Sequence, residues 1–441
     1  MRDLFVTLAV FGSLPMILYR PYIGVLVWSW IGYMNPHRLC WGFATQFPFA
    51  MIVAITTLVA ILFSRESKKI PMTREVVVLL LFIAWMGVTT LTALHPELAQ
   101  TEYTKILKIE LMTFVTMMLM TDRRRIELLV WVIALSLGFY GVKGGIFTII
   151  SGGGYHVMGP SHTFIGGNNE IGLALIMTIP LMRYLYLQTS KSWQKWGLMA
   201  AMGLTVVAIL GTQSRGALLG LAVMGAMLIW KTRRRFVLFF VMGAVLFAGI
   251  SFMPGSWHER MESIRTYHQD QSAMGRINAW RFAFNLAKAR PLVGGGNHAF
   301  TPDLFARYAP DPTNVHDAHS IYFEVLGEHG FVGLALFLLL GWFAWRSCSL
   351  AAKQVKSNPN GRWVADLAKM LQVSMVGYAT SGAFLGLAYF DLYYHMIALV
   401  VLVKVQSQQL AEQEKLSAGR EKVHDRGLQR QAGMVGRLAG K

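Results

Sequence analysis

The chain has 441 residues, of which 54% are hydrophobic and 15% charged, and the charges gather in short clusters between long apolar runs. About 240 apolar residues suffice for roughly twelve membrane-spanning helices of about 20 residues each, which excludes an ordinary soluble enzyme and predicts an all-α polytopic membrane protein. The formal net charge of +18 sits in inter-helix loops and the tail, which reads as a topological signal rather than a nucleic-acid surface.

In chain order, residues 4–35 are apolar but interrupted by Pro15, Arg20 and Pro21. If the N-terminus is also inside, parity requires them to cross once, as an uncleaved anchor followed by a re-entrant or interfacial piece, with one helix or two left open. Further spans are expected near 44–64, 76–94, 104–120, 125–150, 168–187, 194–212, 214–230, 236–253, 320–345, 366–387 and 390–406. Placing the tail in the cytoplasm brings Arg65, Lys68, Lys69, Arg74, Arg123, Arg124, Arg125, Lys191, Lys195, Lys231, Arg346, Lys353, Lys356 and Arg362 to the same side, as the positive-inside rule demands. This predicts a multi-pass membrane protein with about twelve spans and both termini cytoplasmic. Cys40 and Cys348 then fall on opposite sides of the bilayer, so a disulfide between them is geometrically excluded. The expected organisation is an N-terminal membrane region (1–153), a membrane core (154–253), a large outward loop (254–319), C-terminal helices (320–406) and a solvated, disordered basic tail (407–441) that meets anionic lipid at most.

Several strings bring polar groups to the membrane. Lys143, in Gly141-Val142-Lys143-Gly144-Gly145, lies within an apolar span, where it is costly unless paired. Gly159 to Glu170 places Asn168 and Asn169 where their amides either cap a helix or hydrogen-bond sugar hydroxyls. Gly211-Thr212-Gln213-Ser214-Arg215-Gly216 is a nearly loopless outward hairpin, and an arginine there either snorkels to lipid phosphates or binds an anion. Gly216 and Gly220 have the spacing of close helix packing.

The outward loop carries seven basic residues against six acidic ones. Within it, Ile277, Trp280, Phe284 and Ala287 form an apolar stripe opposite Arg281, Asn285 and Lys288, predicting an amphipathic helix that lies on the membrane or lids a cavity. Gly294-Gly295-Gly296 reads as a flexible turn, and Thr301-Pro302-Asp303 as a helix start with proline in its first position. The richest string runs from His316 to Gly333, with a helix expected to begin near Ala318. His319 would then lie in the first turn, where the helix dipole disfavours imidazolium and leaves a neutral base; the alternative is that it only satisfies the helix terminus. His316 and His319 are an H-x-x-H pair, weak as a metal motif alone, and no H-E-x-x-H, cysteine pair, Walker sequence or dinucleotide fingerprint is present.

Four strings, in order and spacing, resemble the bacterial O-antigen ligase and polymerase superfamily: GPSHTFIGGNNEIGLALIMTIPL (159–181), TQSRGALLGL (212–221), GRINAWRFAFNLAKARPLVGGGNHAF (275–300) and HSIYFEVLGEHGFVGLALF (319–337). The first half, including FYGVKGGIFTIISGGG (139–154), is similar to a subgroup of O-glycosylation ligases. The resemblance implies a GT-C-like glycosyltransferase, metal-independent, cofactor-free and inverting. It would move a glycan from undecaprenyl pyrophosphate to a sugar hydroxyl of lipid A-core oligosaccharide on the periplasmic side. It also implies roles. His319 would be the general base, and Arg215 and Arg276 would stabilise the pyrophosphate. Lys288, Arg290 and Arg265 would stand in reserve, and His316, His298, Tyr322, Asn168 and Asn169 would contact substrate. A protein O-oligosaccharyltransferase, an O-antigen polymerase, and a lipid-linked oligosaccharide flippase without covalent chemistry are the competing readings.

Overall fold

The computed structural model describes residues 1–66, 68–232, 235–255, 257 and 271–438; Arg265 lies outside the described residues. The chain folds as α1 (Arg2–Tyr19), α2 (Tyr22–Met34), α3 (Phe49–Phe63), α4 (Arg74–Leu91), α5 (Pro96–Leu119), α6 (Arg123–Ile150), α7 (Asn168–Gln188), α8 (Ser192–Gly211), α9 (Arg215–Lys231), α10 (Arg235–Phe252), α11 (Gln271–Ala289), α12 (Pro302–Tyr308), α13 (Ile321–Gln354), α14 (Arg362–Gly382) and α15 (Asp391–Leu438), with no strand among the described residues. Seven of these, α1, α4, α6, α7, α8, α10 and α13, are long and apolar enough to cross a bilayer. The protein is a polytopic, all-helical membrane protein.

Two helices are apolar around most of their circumference and therefore sit inside the bundle. From Leu392 to Val403 of α15 and from Ile171 to Leu185 of α7 nearly every side chain is buried. α14 packs beside α7, α9 and α13, and Ser374 donates to the Met177 carbonyl at 2.8 Å where α14 meets α7. α6 lies along α8 on a seam of small residues: a Cβ on Gly141 would strike Thr205, one on Gly145 the backbone carbonyl of Leu204, and one on Gly144 would meet Ala208 at 3.1 Å. Lys143 points away from this seam and is exposed, so its charge stays out of the packed interior.

The helices run alternately up and down, taking the His319 end as the upper one. The N-terminal region departs from the sequence expectation. Residues 4–35 form two antiparallel helices, and both reach across the bundle. The Tyr22 ring lies 4.4 Å from the Arg125 guanidinium at the lower end, whereas Gly32 at the other end of α2 approaches the Asp391 carboxylate. α1 runs through Pro15 without ending, as membrane helices tolerate, and the reversal comes at Arg20 and Pro21. Asp3 accepts from the amides of Gly42 and Ala44 at 3.1 Å each, fixing the start of α1 beside the upper loop that follows α2. Met1 is therefore at the upper end, while α15 descends to the lower one, and the expected placement of both termini on one side does not hold. The tail expected to be disordered continues α15 as helix to Leu438, consistent with its run of Ala, Glu, Gln, Lys and Arg. Cys40 and Cys348 are free, buried, and at opposite ends.

Two outcomes follow from this packing. Gly145→Val drives a side chain into the α8 backbone and should lower stability by about 1–3 kcal/mol or more, read as a lower Tm in detergent than Gly12→Val, at a glycine with open space around it. In a background lacking Cys40 and Cys348, a cysteine at exposed Arg20 should react with an impermeant thiol reagent from the same side as one at Lys353, and from the side opposite Gln46; labelling of position 20 together with 46 would contradict the paired α1 and α2.

Candidate functional site

The upper end is built by a loop, a broken helix and α11. The expected helix α11 forms, although none of its described residues lines the cavity at this end, and its buried face is turned from the expected stripe. Ala279, Phe282, Ala283 and Leu286 are buried together with Ala287 of the expected stripe, whereas Phe284 of that stripe is 45% exposed. The reason is that α11 packs on two protein neighbours rather than one flat surface: Phe282 stacks on Phe305 of α12 at 4.2 Å, and Trp280 stacks on Phe323 of α13 at 5.2 Å. α12 begins at Pro302 behind Thr301, as its sequence predicts.

α11 also holds the loop that presents His319. Asn278 donates to the carbonyls of Asp311 and Asn314 at 2.8 and 2.9 Å and accepts from the Asp311 amide at 3.0 Å. Trp280 donates its indole N–H to the Ala318 carbonyl at 2.8 Å. Ser320, not Ala318, precedes the helix, so His319 lies outside the first turn, in a left-handed conformation with φ 42°. Burial and then the neighbouring Arg276 charge lower the His319 pKa below the ordinary imidazole value, against the opposing effect of Asp317. The neutral form of the imidazole is favoured, but by desolvation and a guanidinium rather than by the helix dipole.

α13 breaks at Gly330, whose φ of 66° and ψ of −167° leave the helix. The Gly294–Gly296 segment docks against this break. Gly295 and Gly296 donate their amides to the carbonyls of Gly327 and Glu328 at 2.9 and 2.8 Å, and the Phe331 amide donates to Pro291 at 2.9 Å. Trp85 of α4 takes the His329 carbonyl at 3.1 Å. The three glycines are thus a fitted clamp rather than a flexible turn. Only glycine allows this approach, since a Cβ on Gly294 would lie 2.5 Å from the Gly327 carbonyl oxygen.

Between these parts lies a cavity of about 290 Å³ lined by Glu102 and Lys105 of α5, Phe164 and Glu170 before and on α7, His298 and Phe300, Asp317 and His319, Glu324 and Glu328 of α13, and Tyr389 and Phe390 ahead of α15. Carboxylates outnumber cations in this lining. Glu324 accepts from the Ala388 amide at 3.0 Å, and Glu328 accepts from the His298 amide at 2.7 Å. Lys105 pairs with Glu102 at 3.3 Å and lies 4.6 Å from the Phe164 ring. Behind the cavity wall, the Tyr389 hydroxyl is 2.6 Å from Glu328 Oε2 and 2.7 Å from His329 Nε2, and His329 Nδ1 is 2.7 Å from Thr89 Oγ1. Thr89 Oγ1 also donates to the Met86 carbonyl at 2.9 Å, and the Tyr389 hydroxyl, which donates to Glu328, joins that carboxylate to His329. Among the described residues no three His, Cys, Asp or Glu side chains converge as a metal-binding group.

The sequence-predicted residues separate into groups. His319 and His298 line the cavity. Arg276, one turn before Trp280, lies within electrostatic range of His319 and Glu170. His316 packs on Gly275 beside it, so close that a Cβ there would be 2.5 Å from the His316 ring. Arg215 opens α9 behind the Ser214 cap at the same end of the bundle. Its neighbour Gly216 abuts Phe384, whose ring is 6.3 Å from Trp280; Arg215 is outside the cavity lining. The remaining residues do not join the site. Arg290 donates to the Thr92 carbonyl, and Lys288 lies over Phe284 at 5.7 Å. Lys288 is twelve residues beyond Arg276, about 18 Å along the helix. Tyr322 donates to the Ala379 carbonyl at 2.9 Å, joining α13 to α14. Asn168 donates to the Thr212 carbonyl at 2.9 Å, strapping α7 to the α8–α9 hairpin, and the cap of α7 is Gly167 rather than either asparagine. Asn169 stays in the first turn, partly buried. Glu102, Lys105, Glu170, Glu324, Glu328 and Tyr389 are cavity residues that the motif reading passed over. Glu324 and Glu328, four apart in an apolar helix, were the available signal.

Residues 1–190 match a family of unknown function (DUF5935), and residues 200–338 match a family described as O-antigen ligase. No curated protein matches the chain. The second match spans Arg215, Arg276, His298, His316, His319, Glu324 and Glu328. The cavity draws on both matched segments, and its Gly386–Phe390 wall lies beyond both.

Tyr389→Phe should leave Glu328 and His329 without their shared buried partner and lower stability by about 1–3 kcal/mol. A shift of the unfolding midpoint in detergent measures this, and an unchanged midpoint would deny the network a structural role.

Proposed function

We propose that the protein is an O-antigen ligase of the inner membrane, transferring a glycan from undecaprenyl pyrophosphate to a sugar hydroxyl of lipid A-core oligosaccharide at its upper, periplasmic end. The observation that carries this reading is His319, a half-buried imidazole kept neutral beside Arg276, on the wall of a carboxylate-rich cavity inside the segment that matches the O-antigen ligase family.

The cavity suits a sugar better than it suits a diphosphate. Glu102, Glu170, Asp317 and Glu324 offer acceptors to hydroxyl groups, and Phe164, Phe300 and Phe390 offer apolar faces to sugar C–H groups. The acceptor hydroxyl gives its proton to His319 as its oxygen bonds to the anomeric carbon of the donor. On the opposite face of that carbon the bond to the diphosphate oxygen breaks, and the electron pair leaves with the diphosphate, inverting the centre. Arg276 lies within electrostatic range of His319, Lys105 lies on the cavity wall and Arg215 is at the same end, and their fixed charge offsets the negative charge that develops on the leaving group. The polyprenyl chain stays in lipid beside the bundle. Lys288 and Arg290 take no part, because one faces away and the other is engaged with Thr92.

The test uses purified protein with a lipid-linked glycan donor and core lipid as acceptor. His319→Asn should lower kcat by about 10²–10⁴-fold with the fold intact. Because burial and Arg276 depress the His319 pKa, the imidazole stays unprotonated into mildly acidic solution, so the acid limb of kcat/KM should fall below about pH 6.5. Arg276→Gln removes one of the depressing charges and should move that limb upward. Full transfer by His319→Asn would end the proposal, and transfer to protein or free glycan but not core lipid would reassign the acceptor.

A further inference from the structure

The lower end of the bundle holds a second, larger cavity, of about 1040 Å³, formed where α7, α9, α10, α13 and α14 meet. Its lining carries Arg183, Lys231, Lys356, Arg362 and Lys369, and the one carboxylate among the described lining residues is Asp366. That carboxylate is already engaged, accepting from Gln188 at 3.1 Å and lying 3.9 Å from Arg362. Lys231 donates to Gln372 at 2.9 Å and sits 5.7 Å from the Trp345 ring, which aims it from the α9 terminus toward α13 and α14. Among the described residues neither Lys356 nor Lys369 has a carboxylate within ion-pairing distance. A cavity with this charge excess attracts an anion.

The walls decide which anion. Leu187, Val237, Ala352, Val355 and Met370 give the same cavity an apolar side. Trp230 and Phe236, at the ends of α9 and α10 that flank it, are 77% and 69% exposed. Aromatic side chains exposed at a helix end mark the depth of lipid headgroups. By the positive-inside rule this end faces the cytoplasm, and basic pockets between membrane helices on that side suit lipid phosphates.

We infer that this cavity binds the phosphodiester headgroup of an anionic phospholipid, its acyl chains running up the groove beside α9 and α10. The site is independent of the transfer chemistry at the other end. A soluble phosphate shares the headgroup's charge but not its chains, and would gain nothing from the apolar wall.

The full-length protein in neutral detergent is titrated separately with phosphatidylglycerol, cardiolipin, phosphatidylcholine and inorganic phosphate, and binding is read by native mass spectrometry and by the shift in Tm. Expected is retention and stabilisation by the two anionic lipids, with phosphatidylcholine and phosphate at least tenfold weaker. The Lys356→Gln/Lys369→Gln double variant should bind the anionic lipids at least tenfold more weakly while keeping the wild-type Tm in their absence. Arg362→Gln, at an exposed position, gives a second variant with the same direction of change. Equal binding of phosphatidylcholine, equal binding of free phosphate, or undiminished lipid binding by both variants would each overturn the assignment.

Discussion

The cavity at the upper end depends on how the break in α13 is satisfied. Backbone carbonyls released inside a membrane protein need donors, and here Gly295, Gly296 and Trp85 supply them to Gly327, Glu328 and His329. That set of bonds joins the segment between α11 and α12 to α13 and α4 at once. It also brings His298 against Glu328, so the loop that carries one histidine is registered against the helix that follows the other. The His319 loop is held in turn to α11 by the Asn278 and Trp280 hydrogen bonds.

The site is assembled from distant parts of the sequence. α5 contributes Glu102 and Lys105, the turn before α7 contributes Phe164, and the Gly386–Phe390 segment closes the far wall. The two family matches meet at this cavity rather than forming separate working units. A side-chain strap, from the Asn168 amide to the Thr212 carbonyl, ties the two segments together two residues from Glu170 and three from Arg215.

Much of the fold was legible because membrane helices must be apolar and their ends must be charged. The positions of α4 to α10 follow from that constraint, as does the hairpin at Arg215. At the N-terminus Pro15, Arg20 and Pro21 are not equivalent breaks: α1 runs through Pro15, and the reversal occurs only at Arg20 and Pro21. The misassigned face of α11 has a similar origin. A periodicity argument assumes one apolar neighbour, but α11 has two, in α12 and α13. At the site, His319 and Arg276 were readable from their motifs, whereas Lys288 and Arg290 were chosen by charge alone, without the rise of the helix that carries them away. The carboxylates were passed over because the chemistry sought was anion binding, and Glu324 and Glu328 have the wrong sign for it.

The left-handed backbone at His319 bears on how position 319 can be interrogated. Asn and Asp tolerate that conformation, while a β-branched residue resists it. Replacing the imidazole with valine would twist the loop as well as delete a proton acceptor, and the two injuries would be inseparable in any rate. An amide of similar reach keeps the chain where it is, which turns the substitution into a question about chemistry alone.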